Sequence, residues 1–511
     1  MVDFEGIEMQ QPARERVRSA DVEDEDLPAS EGTRAASARL LAVAGSRLAP
    51  RTDATPLTAH GSHKRLIDRA KLRTVPKIAE DAPLSRAAIA SRVAFSVAVL
   101  AVFGTSLAAS VVTTLMGSPS AVVAIVTTFG LALTSFFVAT CVAAGRYKPV
   151  ASHDDARLPM LTVIVPAYNE GANVRVALES AVASDYPADR LEILAIDDGS
   201  KDDTWEHIQA VAAAHPGRIT PIRQPKNGGK REALKTGFER AEGEMIVSVD
   251  SDSKIEPTAL RAIVAPMIDD EEIAAVAGRV LVLNRDENWL TRILSARFFL
   301  TFDLARAAQS RAGAVLCTPG ALSAYRKSAV DRVLESWSTQ TFLGQPCTIA
   351  EDRALTTWLL RSGFRSVYQR TAVVRTIMPT TFSRMARMLI RWERGNLRED
   401  FVMLPLLFTK WRERDRLWPA LEIGFELLQY PVAWLSLGLL AARVIDDPMA
   451  LAGIGVSLVL GAVVQSLWIL RSSRLADFVY GVQYALFAFI GLQWVFPYSL
   501  LTVRDGRWLT R

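Results

Sequence analysis

Three clusters of carboxylates are the residues of this sequence whose types and spacing are best suited to chemistry. They are the pair Asp197-Asp198, the alternating pair Asp250 and Asp252, and the pair Glu351-Asp352. The first two clusters each end an apolar run rich in Val, Ile and Leu, as expected of a buried strand. In open α/β sheets, ligands bind at the carboxyl ends of the strands. If positions 250 and 252 belong to a strand, both side chains point to one side and both can approach one divalent cation.

Together, the three clusters fit the transfer of a sugar from a nucleotide diphosphate donor. That reaction needs groups that hold the base and ribose, a divalent cation that neutralises the leaving diphosphate, and a carboxylate that deprotonates the attacking hydroxyl. Between the first two clusters, Gly228 and Gly229 free the backbone, and Lys230 and Arg231 bring positive charge toward the diphosphate. The sequence has neither a Walker-type glycine loop nor a GxGxxG motif, so the phosphate grip would rest on the metal and these side chains.

A strand-turn-helix-strand unit is predicted to position the first cluster. The runs 161–170 and 191–200 are apolar, and an amphipathic stretch that begins near Asn173 joins them. This pattern is typical of a βαβ crossover in a buried parallel sheet, so the predicted fold class is α/β. The third cluster stands just before a predicted helix from Ala354 to Arg361.

Each cluster also has a purely structural interpretation. Asp197-Asp198 followed by glycine is typical of a turn. Asp352 alone could be a helix N-cap, and Trp392 beside Arg391 could serve packing or a cation–π contact. The catalytic hypothesis rests on the order of all the clusters and on their common placement at predicted element ends.

Several sequence motifs resemble one family of enzymes. They are VPAYNE, DDGSKDDT, the NGGK loop, DSDS, TPGALSAYR, FLGQPCTIAEDR, IRWERGN and the terminal RDGRWLTR. In this order they resemble the family-2 glycosyltransferases that are processive membrane synthases, and within that group the hyaluronan synthases and chitin-type synthases. The resemblance implies a GT-A-like nucleotide-sugar transferase domain joined to an α-helical transmembrane bundle.

The resemblance also implies roles for individual residues. The nucleotide-sugar-binding set is Tyr168, Glu170, Asp198, Lys230 and Asp250. Asp252 would ligate Mg²⁺ or Mn²⁺, and Asp352 would be the general base beside Glu351. The acceptor-side cap would be Arg391 with Trp392, joined by Trp508 and Arg511 of the chain's last residues. The donor would be a UDP-sugar and the acceptor a growing glycan.

The sequence departs from the family pattern in three motifs. Ala350-Glu351-Asp352 stands where the pattern has Gly-Asp-Asp, Met388 stands where it has Gln, and Leu509 stands where it has Gly. We expect the acceptor to be gripped through other groups than residue 388, and Met388→Gln to be tolerated. The sugar stays open between glucuronate with N-acetylglucosamine, N-acetylglucosamine alone, and glucose.

Hydropathy predicts a multi-pass protein of the cell membrane. The range 93–145 contains no Asp, Glu, Lys, Arg or His and is broken by Gly-Ser-Pro-Ser at 117–120, so it divides into two spans of about 20 residues each. Arginine or lysine flanks both ends, which indicates that both are cytoplasmic. Three further candidates are 421–442, 449–470 and 476–503. Three full spans would place the basic C-terminus outside, so we expect one of them to be re-entrant or interfacial.

These patterns give a domain organisation. Residues 1–90 are expected to be a disordered tail, 91–150 a transmembrane hairpin, 151–400 a cytoplasmic catalytic domain, and 401–511 transmembrane or interfacial helices. Positions 384–398 alternate aliphatic and basic residues at helical spacing, as in a helix on the inner membrane face. The net charge of +4 is small for 511 residues and gives no indication of nucleic-acid binding. The three cysteines and five histidines have no disulfide or zinc-site spacing.

The predicted function is inverting, metal-dependent polymerisation of a β-linked glycan from UDP-sugars, with the product threaded through the membrane part. Two alternatives stay open. One is a non-processive transferase that adds a single sugar to a lipid carrier, and the other is a catalytically idle nucleotide sensor in the membrane.

Overall fold

The computed structural model describes residues 121–404, 417–471 and 475–506. The predicted tail at 1–90, the first span of the N-terminal hairpin, and Trp508 and Arg511 lie outside the described residues. Helices α1 to α7 are Ala121–Gly145, Asn173–Val182, Thr204–Ala214, Lys230–Arg240, Ala259–Asp269, Trp289–Phe299 and Arg306–Arg311. Helices α8 to α14 are Lys327–Ser338, Glu351–Arg361, Phe382–Met403, Leu417–Asp446, Ala450–Ser466, Leu475–Gly491 and Val495–Leu501.

A mixed eight-stranded sheet forms the centre of the catalytic region. Strands β1 to β5 are Leu161–Ala167, Leu191–Asp197, Ile219–Arg223, Met245–Ser248 and Ser253–Ile255. Strands β6, β7 and β10 are Ile273–Val282, Ser323–Arg326 and Arg365–Thr376, and Thr341–Phe342 with Gln345–Pro346 form a separate hairpin, β8–β9. The order across the sheet is β3-β2-β1-β4-β7-β6-β10-β5. The sheet mixes parallel and antiparallel pairs, and the α/β prediction is confirmed.

The predicted βαβ unit is present. β1 and β2 are parallel, with Ala167 opposite Asp197, and α2 begins at the predicted Asn173. All seven residues of β1 are buried. Alternate β1 side chains join different apolar clusters, Val163 on one face of the sheet and Ile164 on the other, so helices cover both faces.

The second carboxylate cluster does not lie in a strand. β4 ends at Ser248, and the chain turns through 249–252 before β5 pairs antiparallel with β10. The amide of Ser253 donates to the carbonyl of Asp250, which closes this turn. The same-face argument for Asp250 and Asp252 was therefore wrong, because a turn and not strand alternation sets their directions.

The helix of the third cluster begins earlier than predicted. α9 starts at Glu351, with Ala350 as its N-cap residue, and not at Ala354. Glu351 and Asp352 are thus the first two helical residues, where carboxylates interact favourably with the helix dipole.

The long helix α10 changes character along its length. Arg384 and Arg387 in its first half are exposed, whereas Arg394 and Arg398 in its second half are 2% and 4% exposed. The second half packs within the protein, and the placement of 384–398 on a membrane face stays a prediction.

Among the described helices, one is long and apolar enough to cross a bilayer. Its apolar stretch is Thr128–Gly145 in α1, and only 11% of that stretch is buried in the protein. α13 and α14 reach the same criterion only together, and they are bent by 51° at the break between them. α11 and α12 overlap the predicted segments 421–442 and 449–470, although neither meets the combined length and hydropathy of a full span.

Candidate active site

Lys230 joins the second and third carboxylate clusters. It is the first residue of α4, and its Nζ pairs with Asp250 and lies 2.9 Å from Oε1 of Glu351. Burial alone would lower the pKa of Lys230, but the two carboxylates raise it above its ordinary value. A permanent cation therefore lies at the carboxyl end of β4, where an anionic leaving group can be held.

Gly320 makes room for this cation. A Cβ at position 320 would lie 2.7 Å from the Lys230 Nζ and 3.2 Å from Oδ1 of Asp250. The amide of Gly320 also donates to Oδ2 of Asp352 at 2.9 Å. This one residue thus contacts both the cation and the predicted base.

Asp352 is a half-buried carboxylate held by two amides. Besides Gly320, the amide of Arg353 donates to its Oδ1 at 2.7 Å. Burial and the neighbouring Glu351 raise the pKa of Asp352, and Lys230 partly offsets them. For Glu351, burial acts in the same direction, but Lys230 and Arg391 outweigh it and lower the pKa. A carboxylate with raised proton affinity beside one that stays ionised suits general-base work.

Asp252 lies beside Asp250 and receives two hydroxyl hydrogen bonds. Thr376 donates to its Oδ1 at 3.2 Å, and Ser253 donates at 3.4 Å. Burial and Asp250 raise the pKa of Asp252 to about 6. The described residues contain no group of three or more His, Cys, Asp or Glu able to hold a metal alone. Two carboxylates do fit Mg²⁺ or Mn²⁺ when substrate phosphates complete the coordination, as is usual for Mg²⁺.

Asp198 holds the glycine loop. Its two carboxylate oxygens accept from the amides of Gly228 at 2.9 Å and Gly229 at 2.8 Å. This loop leads directly into Lys230, so Asp198 fixes where α4 begins. The interpretation of Asp197-Asp198 as a turn is thus correct in part. Asp197 is fully buried, and its Oδ1 accepts a hydrogen bond from the amide of Ser200. A contact of Asp198 with uridine stays a prediction.

Glu170 links the first and second clusters. Its Oε1 accepts from Ser251 at 2.9 Å, and its amide donates to Thr204 at 2.8 Å. Tyr168 lies directly after β1 and is half-buried. Both residues therefore lie at the same edge of the sheet as Asp198 and Asp250, as the strand ends predicted.

Arg391 and Trp392 occupy different environments on α10. Arg391 is close enough to Glu351 to lower its pKa. Trp392 is half-buried, with its ring 6.1 Å from that of Phe298 and the guanidinium of Arg297 5.4 Å above it. Arg391 thus reaches the third cluster, and the packing and cation–π interpretation of Trp392 holds whether or not the ring also meets a substrate.

Met388 does not face the site as its position in the motif implied. It is 4% exposed and belongs to the main apolar core. A glutamine there would bury an amide among apolar side chains. The structure therefore leads to the opposite expectation for Met388→Gln, a loss of stability.

The end of the described chain returns to the catalytic domain. Thr348 donates to the carbonyl of Gly506 at 2.7 Å. Arg394 of α10 lies 3.3 Å from Asp505 and donates to Thr502 at 3.0 Å. The residues just before Trp508 are therefore fixed beside the loop that leads into α9.

Sequence reasoning missed three positions of this site, Gly320, Ala350 and Gly395. The TPG of TPGALSAYR carried a signal for Gly320, because a glycine within a motif often marks a close backbone approach. For Ala350, the sequence shows only that alanine replaces the glycine of the family pattern. Gly395 gives a signal only once the structure shows Ala350 beside it.

The comparisons with known proteins place the chain in a family. Residues 159–395 match the family model described as "Glycosyltransferase like family 2". The chain is 31% identical over 360 residues to an N-acetylglucosaminyltransferase of Azorhizobium caulinodans, which covers 69% of this chain and 87% of that protein. The chain therefore belongs to glycosyltransferase family 2 and is a glycosyltransferase, which acts on a nucleotide-sugar donor and an acceptor.

Two further similarities bear on length and fold. An N-acetylglucosaminyltransferase of Rhizobium meliloti is 36% identical over 252 residues, which are 49% of this chain and 58% of that protein. The match thus spans less than two thirds of that relative. A solved mannosyltransferase from Pyrobaculum calidifontis, in complex with GDP-Man and Mn²⁺, has a TM-score of 0.51 at 22% identity and covers 70% of this chain and 97% of that one. This similarity concerns the fold, which is GT-A-like.

Proposed function

We propose that this protein is a membrane-bound, inverting N-acetylglucosaminyltransferase that builds a β-linked, chitin-type glycan from UDP-N-acetylglucosamine. The observation that carries the proposal is the junction at Lys230, which places Asp250 and Glu351, the neighbour of Asp352, around one cation. A phosphate-binding charge and a base in one site are what a single displacement requires. The N-acetylglucosaminyltransferase relatives favour this sugar over glucose and over the glucuronate of a hyaluronan.

In this mechanism, each group has one task. Asp352, directed by the amides of Gly320 and Arg353, takes the proton of the acceptor hydroxyl as its oxygen attacks the anomeric carbon. Lys230 offsets charge on the leaving UDP, and Tyr168, Glu170, Asp198 and Asp250 form the nucleotide side. Inversion follows because one displacement occurs at the anomeric carbon.

A divalent cation is part of the proposal. Asp252, with Asp250 beside it, would hold Mg²⁺ or Mn²⁺ against the donor phosphates. The cation would supply charge neutralisation to the leaving diphosphate. The Mn²⁺ complex of the archaeal mannosyltransferase supports a divalent cation in this fold.

Processive synthesis is the third element of the proposal. Arg391 and Trp392 are neighbours on α10, and Arg391 interacts with Glu351 of the third cluster. A flat apolar ring suits the face of a sugar, so Trp392 would hold the end of the growing glycan. Trp508 and Arg511 would complete this cap, since Gly506 lies beside Thr348.

The segment α13–α14 would be the re-entrant part of the membrane region. In its first turn, Asp477 pairs with Arg285, and midway along α13 Gln483 accepts from the indole of Trp289 at 2.8 Å. At its end, Asp505 pairs with Arg394. Because both ends are tied to the catalytic domain, and the helices bend by 51° between them, the segment would enter and leave the membrane on one side.

Single cysteines test this topology in sealed vesicles. The full chain would first have Cys141, Cys317 and Cys347 replaced and its activity checked. Leu475→Cys and Leu501→Cys, at positions 73% and 85% exposed, should react from the same side as Lys201→Cys in the catalytic domain. Met449→Cys, between α11 and α12, should react from the other side. Labelling of positions 475 and 501 from opposite sides would show that the segment crosses the bilayer.

The function itself is tested by offering radiolabelled UDP-sugars singly and in pairs to membranes that contain the protein. We expect UDP-N-acetylglucosamine alone to give product, and gel analysis to show chains of many sugars. Product only with paired UDP-glucuronate would indicate a hyaluronan-type enzyme. Addition of one sugar to a lipid would indicate the non-processive alternative.

A further inference from the structure

Ala350 has a left-handed backbone conformation at the start of the helix that carries Glu351 and Asp352. Its φ is 54° and its ψ is 46°. Residues with a Cβ rarely adopt this conformation, because the Cβ crowds the following carbonyl. Among the described residues other than glycine, only Asn169 and Leu343 share a positive φ. Strain at an active-site turn persists only where the surrounding structure enforces it.

The residue that faces Ala350 is Gly395, in the interior of α10. A Cβ at position 395 would come closer to the Ala350 Cβ than the 3.0 Å that real Cβ atoms keep. The methyl group of Ala350 therefore fills the space that Gly395 leaves open. Glycine is unfavourable inside a helix, just as alanine is unfavourable at a left-handed position. The double substitution of Ala350→Gly with Gly395→Ala would suit both backbones better, so local stability does not explain the pair.

Two further contacts fix the same turn to α10. Arg398 donates to the carbonyl of Ile349 at 2.6 Å. Arg353 forms a buried ion pair with Asp400, with side chains 5% and 0% exposed. α10 thus contacts residues 349–353 at three points, and at Gly395 only the absence of a side chain leaves room for the Ala350 methyl group.

α10 also carries the acceptor side of the site. Trp392 lies one helical turn before Gly395, and Arg391 interacts with Glu351. Since a helix moves as a rigid rod over such a distance, the spacing at Gly395 is transmitted to Trp392. The same spacing is transmitted through Ala350 to Asp352, two residues further along the chain.

We infer that Ala350 and Gly395 are a positioning pair that sets the separation between the base, Asp352, and the acceptor cap, Arg391 with Trp392. The inference rests on the proposed function, because it needs Asp352 to be the base. In transfer, the acceptor oxygen bonds to the anomeric carbon, its proton passes to Asp352, and UDP leaves with the bonding electron pair. If the acceptor hydroxyl is misplaced, water can take its position, and the donor is hydrolysed instead. The pair therefore controls the ratio of sugar transferred to UDP released.

Three variants of the full-length protein test this role: Ala350→Gly, Gly395→Ala and the double substitution. Ala350→Gly removes the methyl contact and the strain, so it should unfold at the wild-type temperature or above while its transfer ratio falls by about threefold or more. Gly395→Ala inserts an overlapping methyl group and should lower the ratio by about tenfold or more. The double substitution returns one methyl group to the same space and should restore the ratio to within about twofold of wild type. UDP binding should change by less than the transfer ratio in each variant, since the proposed donor-binding side chains lie on other elements and only Lys230 is linked to this turn, through Glu351.

A matched control separates strain from position. Gly217→Ala puts alanine at another left-handed position, φ 75°, with no atom within 4 Å of the new Cβ. It should lower the unfolding temperature and leave the transfer ratio unchanged. A wild-type ratio in Ala350→Gly, or a double variant no better than the single ones, would overturn the positioning role, even if Gly395→Ala does not fold. Asp352→Asn is measured in parallel: normal transfer by that variant would refute the proposed base itself, whereas a swap without rescue refutes only the positioning pair.

Discussion

At the scale of single residues, separate interactions set the proton affinity and the direction of Asp352. Burial and Glu351 raise its pKa, and the amides of Gly320 and Arg353 hold its two oxygens. A side chain that replaces the carboxylate by an amide keeps the shape but loses the base. The donor contacts lie on other residues, so binding and transfer are separable here.

We predict that Asp352→Asn binds UDP-sugar normally and loses transfer by about 10²-fold or more, the lower range for removal of a general base. The base works only when deprotonated, so activity is present above its pKa and lost as the pH falls through it. Because that pKa is raised, the acid limb of kcat/KM should lie at a higher pH than an ordinary aspartate gives. Binding by calorimetry and a pH profile check both points. A near-normal rate in the variant would make Asp352 a helix residue only.

Gly320 offers a test of the Lys230 junction that leaves every charge in place. The added methyl of Gly320→Ala would lie 2.7 Å from the Lys230 Nζ and 3.2 Å from Asp250, so the ion pair must shift. We predict that the KM for the donor rises by about tenfold with little change in unfolding temperature, since a misplacement near 1 Å can cost that much or more. An unchanged KM would mean that Lys230 does not contact the diphosphate.

Asp252 is the residue through which a cation would act. Asp252→Ala should abolish turnover while folding and membrane insertion persist, because the diphosphate charge would lose its compensation. Binding of Mn²⁺ with UDP, followed by electron paramagnetic resonance, should weaken in the same variant. Transfer by wild-type protein in excess chelator would contradict the metal role.

At the scale of elements, α10 is the helix whose environment was hardest to predict from the sequence. Its motif is recognisable, but the burial of Arg394 and Arg398 is not predictable, because both side chains bond to residues more than 40 positions away along the chain. The β1-α2-β2 unit was predictable, since local periodicity decides it. The turn at Asp250 was not predictable, because it depends on the pairing of β5 with β10. The early start of α9 was not predictable either, because it depends on the tertiary contact of Ala350 with Gly395.

Trp392 and Met388 lie one turn apart on α10 and should respond differently. Trp392→Ala should shorten or abolish the polymer more than it weakens UDP binding, because its half-buried ring is the proposed contact with the growing glycan and not with the nucleotide. Met388→Gln buries an amide in the core and should destabilise the protein by about 1–3 kcal/mol. Product sizing, UDP binding and thermal unfolding of both variants distinguish the outcomes. Full-length polymer at a normal rate from Trp392→Ala would remove the acceptor role and the main argument for processivity.

At the scale of the whole molecule, the catalytic domain is bonded to the chain that follows α1 and to the chain that follows α14. Tyr147, just beyond α1, donates to the carbonyl of Tyr368 in β10 at 2.7 Å. Asp505, beyond α14, pairs with Arg394. Both ends of the helical region are thus joined to the candidate active site through β10 and α10, the elements that carry Thr376 and Trp392.

The chain's last five residues provide the final prediction. The carbonyl of Gly506, the last described residue, accepts from Thr348, two residues before Ala350. Deletion of 507–511 should lower transfer by about tenfold or more while UDP binding stays within about twofold, if Trp508 and Arg511 belong to the acceptor cap. Deletion of 1–80 is the matched truncation, and it should leave specific activity within about threefold, because a segment of that composition contributes little to a fold. Equal activity of the two truncated proteins would exclude Trp508 and Arg511 from the site. Loss of activity only on deletion of 1–80 would show that the N-terminal segment, and not residues 507–511, is needed for transfer.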